Sequence, residues 1–447
     1  MEIAEQAVST CTVDVQCTGI AAVEARVLPG FKTDSLYIKP LTAFFMKSVF
    51  LKGRSQGGTP HSLYEELLRS PPEGYCIFAE KNGNTPQPRR VVYTKRQTLF
   101  DGLSRRLQNS PLARGVWREG KTLLYVGIKK SQSLTPSDPK SDLVYASQQF
   151  VSGETPWIVD FEYANALVDY GDIRLCRGYI KKALASKSCK KIIPWSSWSK
   201  RTLLRSLDCS AFQEKIEPVH FGMRAKNFVK KKEDDKIRLL FVGSINHLNY
   251  MNFEWKGGIE VVEAFRQLNK KYDVELTIRS WVPPDVAAKC ADTPNLRLIS
   301  SMLSDEQLSD LYLAADIFMF PSYLNFGMVL LEAMSYELPV IAPNVFDVPE
   351  AIRDMETGVL LDCPKLPLYE WNGIPNHFDP QLLAGIRGAR DWRVRQVFKK
   401  TSMLVEDGAL RRRIGKNARH LIEAGEYSIS NRNRKLGKIF DEATQSN

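Results

Sequence analysis

A run in the last third of the chain, Phe320-Pro-Ser-Tyr-Leu-Asn-Phe-Gly-Met-Val-Leu-Leu-Glu-Ala-Met334, carries the residue types of an anion site. Ile317 to Phe320 reads as a short apolar strand that ends at Pro321-Ser322. After a loop, a helix is expected to open near Phe326-Gly327 and to carry Glu332. The free amides of a helix start and the positive end of its dipole both favour a phosphate. Glu332 would stand about 8 Å along the axis from Gly327, at roughly 1.5 Å per residue. That is close to the span from a diphosphate to the ribose of the same nucleotide, and a carboxylate can accept from both ribose hydroxyls. The layout suits a nucleoside diphosphate.

Such a site needs strand, loop and helix in parallel α/β order. Apolar runs at Ile237–Val242, Val274–Arg279, Leu296–Ile299, Ile317–Phe320, Pro339–Ala342 and Val359–Asp362 read as strands. Helices fall between them. Ile259, Val262, Phe265 and Leu268 recur at helical spacing over 257–269, and Ser304-Asp-Glu-Gln307 is a capping-box pattern ahead of Leu308, Leu311 and Ala315. This alternation implies a doubly wound parallel sheet. The first half shows a weaker α/β rhythm from about residue 120. Its strand candidates are Thr122–Gly127, Asp142–Tyr145, Trp157–Val159, Lys191–Ile193 and Ile216–His220, and Ser196 is placed to cap a helix from near Trp198.

Residues 1–60 give no clear pattern, and 53–62 and 82–91 read as loops. The expected organisation is a first domain over 1–223, a charged linker over 224–236, a second domain over 237–425 and a helical tail over 426–447. Residues 363–392, rich in Pro, Trp and Gly, read as an insertion. Two such domains would face each other across a cleft and bind ligand at the carboxyl ends of their strands.

At 447 residues and 43% hydrophobic content, the chain is long enough for two or three domains with real cores. No apolar run reaches the roughly 18 to 20 residues of a spanning helix. The acidic start, Met1-Glu-Ile-Ala-Glu-Gln, carries no signal or transit pattern. The eight cysteines lack Cys-x-x-Cys spacing and do not cluster with the five histidines, which favours reduced cytosolic thiols over zinc or disulfides. The net charge of +11 concentrates between Arg174 and Arg201, including Arg177, Lys181, Lys182 and Lys191, and in Lys230-Lys-Lys232 and Arg411-Arg-Arg413. Solvated helix faces account for such groups, and so does attraction to an anionic membrane surface or a lipid-phosphate acceptor. No aromatic-interleaved basic motif or zinc module supports nucleic-acid binding.

Taken together, these residues resemble the family-4 retaining glycosyltransferases of the GT-B fold, over roughly 120–440. That family carries Glu, any residue, Phe-Gly, four residues, then Glu-Ala-Met; here Asn325-Phe326-Gly327 and Glu332-Ala333-Met334 stand in register. Its phosphate-side pattern, a strand, a Gly-Arg turn and a Lys-Gly opening a helix, is matched by Phe241-Val242-Gly243 and Lys256-Gly257. Ala314–Ser322, Val348-Pro-Glu-Ala-Ile352, Thr357-Gly358, Ile192–Ser196 and Val219–Gly222 are further points of likeness.

The departures are specific. The family's first Glu falls on Leu324, and its Arg after the phosphate-side Gly falls on Ser244, with a longer loop before Lys256. The Gly after the motif helix falls on Glu337, where a left-handed cap would cost roughly 1 kcal/mol and a different turn would avoid it. A Gly-Gly pair falls on Phe346-Asp347. Where many members carry a first-domain His, this chain has Glu162 in Asp160-Phe-Glu162.

The resemblance implies two doubly wound Rossmann-like domains and transfer of a sugar from a nucleotide-diphosphate donor to a glycan or lipid-linked acceptor, with retention. Capsule, lipopolysaccharide and exopolysaccharide assembly are the family's usual territory. The donor would be held by Gly243, Ser244, Lys256, the amides of Asn325, Phe326, Gly327 and Met328, and Glu332. Lys256 would also stabilise the charge left on the departing diphosphate, although a lysine at a helix start can simply be exposed. Glu332 lies in a helix apolar all round, where an unmatched carboxylate is costly.

Glu162, with Asp160, is the candidate for positioning or deprotonating the acceptor hydroxyl; either could instead cap the segment from Tyr163. Ser196 reads first as a helix cap and His220 as a hinge residue. No Asp-x-Asp triplet argues for a metal. No cofactor is expected beyond the nucleotide sugar as co-substrate, and the expected location is cytoplasmic, with peripheral contact to the inner face of a membrane. Leu324 points to a donor sugar read by other groups, such as a deoxy sugar. A different class of function, a GT-B-shaped binding or scaffolding module without turnover, is motivated by Leu324 and Ser244.

Overall fold

The computed structural model describes residues 46–52, 62–79, 141–168, 170, 172–229, 235–245, 250–323, 327–363 and 380–445. The strand expected at Thr122–Gly127, the loop over 82–91, Lys230–Lys232, and Leu324, Asn325 and Phe326 lie outside the described residues.

The first sheet has β1 (Lys47–Lys52), β2 (Tyr75–Ala79), β3 (Leu143–Ser147), β4 (Trp157–Phe161) and β5 (Cys189–Pro194), all parallel, in the order β2-β1-β3-β4-β5. The second has β6 (Ile237–Val242), β7 (Val274–Arg279), β8 (Leu296–Ile299), β9 (Ile317–Met319), β10 (Val340–Pro343) and β11 (Val359–Leu361), all parallel, in the order β11-β10-β9-β6-β7-β8. Two Rossmann-like units of this kind make the GT-B architecture.

Strands covered on both faces read as unbroken apolar runs, and the period-2 alternation of side chains splits them between two cores. Leu239 and Phe241 of β6 enter one core with the helices Gly258–Leu268 and Arg390–Glu406. Leu240 and Val242 enter the opposite core with Met328–Ser335 and Gly408–Glu423.

Three details differ from the linear reading. Ile216–His220 is not a strand. Ile216 makes a single bridge to Ile192, and Glu217 and Val219 donate to Ile192 and Pro194, so the segment is tied to the edge of β5 by isolated bonds. The expected C-terminal helical tail is present, and it packs back on the first domain, which the linear reading did not foresee. The helix Ile429–Gln445 buries Leu436, Ile439, Phe440 and Ala443 beside Val49, Tyr145 and Ile158 of the first domain. Tyr75 Oη donates to Asp441 at 2.6 Å, and Lys191 pairs with Glu442 at 2.8 Å. Finally, Glu337 keeps the left-handed turn (φ 58°) that glycine would take more cheaply. Within the expected insertion, Pro380–Gly388 is helical, and residues 364–379 lie outside the described set.

Among the described residues no helix is long and apolar enough to cross a membrane, and the described cysteines are all free.

Candidate functional site

The second sheet reverses its winding between β6 and β9: the chain runs outward through β7 and β8 on one side and through β10 and β11 on the other. A crevice opens at the carboxyl ends of strands at such a switch point. Gly243 and Ser244 leave β6 on one side of it, and Phe320–Tyr323 leave β9 on the other.

Gly243 is required by its neighbours. Its N–H donates to the Arg279 carbonyl at 2.8 Å, and a Cβ there would lie 2.3 Å from Ser280 Oγ. The Ser244 carbonyl accepts from Trp281 N at 3.0 Å and Ser280 Oγ at 3.3 Å, which stitches the post-β6 turn to the end of β7.

Lys256 is clamped on the far side. Gly257 has φ 76°, and a Cβ on it would meet the Pro321 carbonyl at 2.3 Å, so this turn rests on the end of β9. The Trp255 carbonyl accepts from Tyr323 N at 2.7 Å and from Ser322 Oγ at 3.4 Å. Burial first, then repulsion from Arg279, pushes the Lys256 ammonium down to about 8. Among the described residues, no carboxylate offsets that loss.

Arg279 was absent from the sequence reading. It ends β7, its Nη1 donates to the Gly243 carbonyl at 3.4 Å, and its Nε is buried without an acceptor among the described residues. Burial lowers its proton affinity, and Tyr312 and Glu332 partly restore it. A charged residue closing the run Val274–Arg279 was the available signal.

Glu332 is half-buried. Its Oε2 accepts from Tyr312 Oη at 2.9 Å. Burial raises its proton affinity, and Tyr312, Lys226 and Arg279 oppose the rise. Tyr312, also unnoticed in the sequence, is held by stacking on Tyr336 with ring centroids 5.2 Å apart.

The helix Met328–Ser335 starts at Gly327, whose backbone is extended (φ −125°) and which offers no side-chain cap. A Cβ on Gly327 would find its nearest neighbours, Phe320 and Val329, at 3.6 Å. The protein's own packing therefore does not demand glycine here. The structure thus brings Gly243, Ser244, Lys256, Gly327, Met328 and Glu332 to one domain, around one switch point. Two poorly solvated cations, an uncapped helix start and a tyrosine-bonded carboxylate can together accept a polyphosphate at one end and a diol at the other.

The first-domain candidates separate. Glu162 Oε2 accepts from Tyr170 Oη at 2.9 Å, and its carbonyl accepts from Ser199 Oγ. Asp160 is buried under Tyr64 Oη (2.9 Å to each carboxylate oxygen) and Tyr145 Oη (3.1 Å). Burial raises it to about 7, against those hydroxyls. Asp160 is thus engaged by Tyr64 and Tyr145, while Ala164 N, at the start of the following segment, donates to Thr202 Oγ1 at 3.0 Å.

Ser196 Oγ accepts from Ser199 N at 3.0 Å and so caps the helix Ser197–Ser206. His220 sits at the domain junction. Glu350 of the second domain accepts from Ser197 N (2.8 Å), Trp198 N (2.7 Å) and His220 Nε2 (3.1 Å).

Residues 217–366 match the family model described as glycosyl transferases group 1. The D-inositol 3-phosphate glycosyltransferase of Corynebacterium diphtheriae is 47% identical over 58 residues, 13% of this chain and 14% of that protein. The O-antigen chain mannosyltransferase B of Escherichia coli is 49% identical over 59 residues, 13% of this chain and 15% of that protein. The chain thus matches only a small part of the length of these curated relatives.

Likeness over the whole chain lies in the fold. Sucrose-phosphate synthase from Thermosynechococcus elongatus superposes with a TM-score of 0.55 at 16% identity, covering 90% of this chain and 100% of that one. A glycosyltransferase from Rickettsia africae gives 0.52 at 16%, covering 90% and 99%. An Anabaena protein solved in complex with UDP-glucose gives 0.50 at 14%, covering 89% and 99%.

Proposed function

We propose that this protein, with its glycosyl transferases group 1 segment on a GT-B frame, transfers a sugar from a nucleotide-diphosphate donor to a glycan or lipid-linked acceptor in polysaccharide or glycoconjugate synthesis. The observation that carries the reading is the half-buried pair of cations, Lys256 and Arg279, with no carboxylate offsetting Lys256 among the described residues, beside a helix start at Gly327 that has no side-chain cap among them. An unmatched buried charge is costly to keep. A diphosphate entering the crevice supplies the missing anion, the first-turn amides meet its oxygens, and Glu332 takes the ribose hydroxyls.

In the reaction, the bond between the anomeric carbon and the diphosphate oxygen breaks, and negative charge grows on the leaving group. Lys256 and the helix start stabilise that charge, and they stabilise it more as it grows. This gives the leaving-group assistance that a divalent cation would otherwise provide, so we take the reaction to be metal-independent. Retention rests on the likeness to the family-4 enzymes. The acceptor binds the first domain, where Glu162, held by Tyr170, positions its hydroxyl.

The acceptor classes in the relatives' names, an inositol phosphate and an O-antigen chain, support an anionic or membrane-borne acceptor. Exposed Arg174, Arg177, Arg201 and Arg205 lie near Leu175 and Leu204, which are 40% and 38% exposed, and this supports peripheral contact with an anionic membrane at its cytoplasmic face.

A donor screen tests the reading. Ordinary and deoxy hexose donors of uridine, guanosine, adenosine and thymidine diphosphate are incubated with a lysate acceptor fraction, and released nucleoside diphosphate is measured. Release with one donor class is expected. Thermal protection by a nucleotide without release would favour a binding module, and neither effect with any nucleotide would overturn the proposal.

A further inference from the structure

We infer that Arg279, delivered from the end of β7, is a diphosphate-binding residue that does the work of the arginine missing at Ser244. This rests on the reading of the crevice as a nucleotide-sugar site and deepens it.

The two positions are neighbours in space though not in sequence. β6 and β7 pair in parallel through Val242 and Arg279. The Arg279 main chain accepts from Gly243 N at 2.8 Å, while its guanidinium turns back to the Gly243 carbonyl at 3.4 Å. The guanidinium therefore sits on the residue that precedes Ser244. The Ser244 carbonyl is tied to Trp281 N and Ser280 Oγ, which fixes the turn against the same strand end. A guanidinium has five donors and no acceptor. Here one makes a long bond to a carbonyl, and Nε is buried without a partner among the described residues.

Arg279 could instead be a structural counterion for Glu332, but Glu332 takes its hydrogen bond from Tyr312 at 2.9 Å. The charge that acts on Lys256 is that of Arg279 and it repels, so two cations converge where one anion would satisfy both. A planar fork beside a point-charge ammonium suits the oxygens of a diphosphate.

The test compares the affinity of the wild-type chain, Arg279→Gln and Arg279→Lys for nucleoside, nucleoside monophosphate and nucleoside diphosphate, by calorimetry with the base chosen from the donor screen. Wild type should prefer the diphosphate over the monophosphate. Arg279→Gln should lose that preference by about tenfold or more, the scale of one charged hydrogen bond, with nucleoside binding little changed. Arg279→Lys keeps the charge beside Glu332 and so the fold, and should lose an intermediate part. Adding Ser244→Arg to Arg279→Gln should restore the preference.

A purely structural role would move the melting temperature and all three ligands alike. Undiminished diphosphate preference in Arg279→Lys and Arg279→Gln overturns the inference while leaving the nucleotide site intact. No binding of any nucleotide by wild type overturns the underlying reading instead.

Discussion

Tyr312 donates its hydroxyl hydrogen to Glu332 Oε2 at 2.9 Å, across two helices that flank β9. This bond leaves Oε1 of the same carboxylate for a ligand and fixes the plane in which that ligand must lie. Glu332→Gln should weaken nucleoside diphosphate binding by about 1.5 to 3 kcal/mol, the value of a charge-assisted bond in a poorly solvated site. Tyr312→Phe should weaken it by less, because it frees the carboxylate without removing it. Calorimetric titration reads both; an unchanged dissociation constant for Glu332→Gln removes Glu332 from the site.

Lys256 gives the site a pH signature. Its folded value, about 8, lies below the ordinary 10.5. A bound diphosphate restores proton affinity, so nucleotide affinity should be flat in this group's contribution below about pH 7 and fall as pH rises through about 8. In the free protein the sign is opposite. The unfolded chain binds more protons than the folded one between about 8 and 10.5, so this group's contribution to stability rises with pH across that window. Lys256→Met should abolish both trends, as followed by affinity and urea midpoint against pH. Parallel profiles in wild type and variant would show that Lys256 does not titrate there.

Gly327 and Gly243 should respond differently to the same change. A methyl on Gly327 meets only ordinary contacts at 3.6 Å, whereas one on Gly243 would lie 2.3 Å from Ser280 Oγ. Gly327→Ala should therefore keep or slightly raise stability, by up to about 1 kcal/mol through the unfolded chain, yet weaken nucleotide binding by crowding the helix start. Gly243→Ala should lower the melting temperature. If Gly327→Ala binds nucleotide as well as wild type does, the ligand does not approach that helix start.

Asp160 should act on stability through pH. Burial raises it from 3.8 to about 7, so the folded protein binds the extra proton between those values, and this group's contribution to stability falls as pH rises from about 4 to about 7. Asp160→Asn shifts the curve by a constant for the altered bonds to Tyr64 and Tyr145 and removes the slope. Urea unfolding of both proteins from pH 4.5 to 8 measures the difference. A difference independent of pH would place the titration elsewhere.

Periodicity within single elements was legible in the chain. Ile237–Val242, Val274–Arg279 and Leu296–Ile299 appear as strands with the expected bounds, the first because a strand covered on both faces is a nearly unbroken apolar run, the other two because apolar residues recur in them at every second position. The Ser304–Gln307 capping box and the Ser196 cap are local hydrogen bonds between residues three apart, so spacing alone reveals them. Gly243, Lys256, Gly327 and Glu332 could be singled out because each lies at a strand end, a helix start or on an apolar helix.

Tertiary structure alone decided which strand lies beside which, and that is where the remaining site residues come from. Arg279 faces Gly243 only because β7 pairs with β6, and Tyr312 reaches Glu332, 20 positions on, only because their two helices pack on one sheet face. The tail helix shows its amphipathic spacing in the sequence but not its partner, and it crosses back to bury Phe440 in the first domain. Hydrophobic burial is not directional: it marks a face to be covered, and chain topology then determines what covers it.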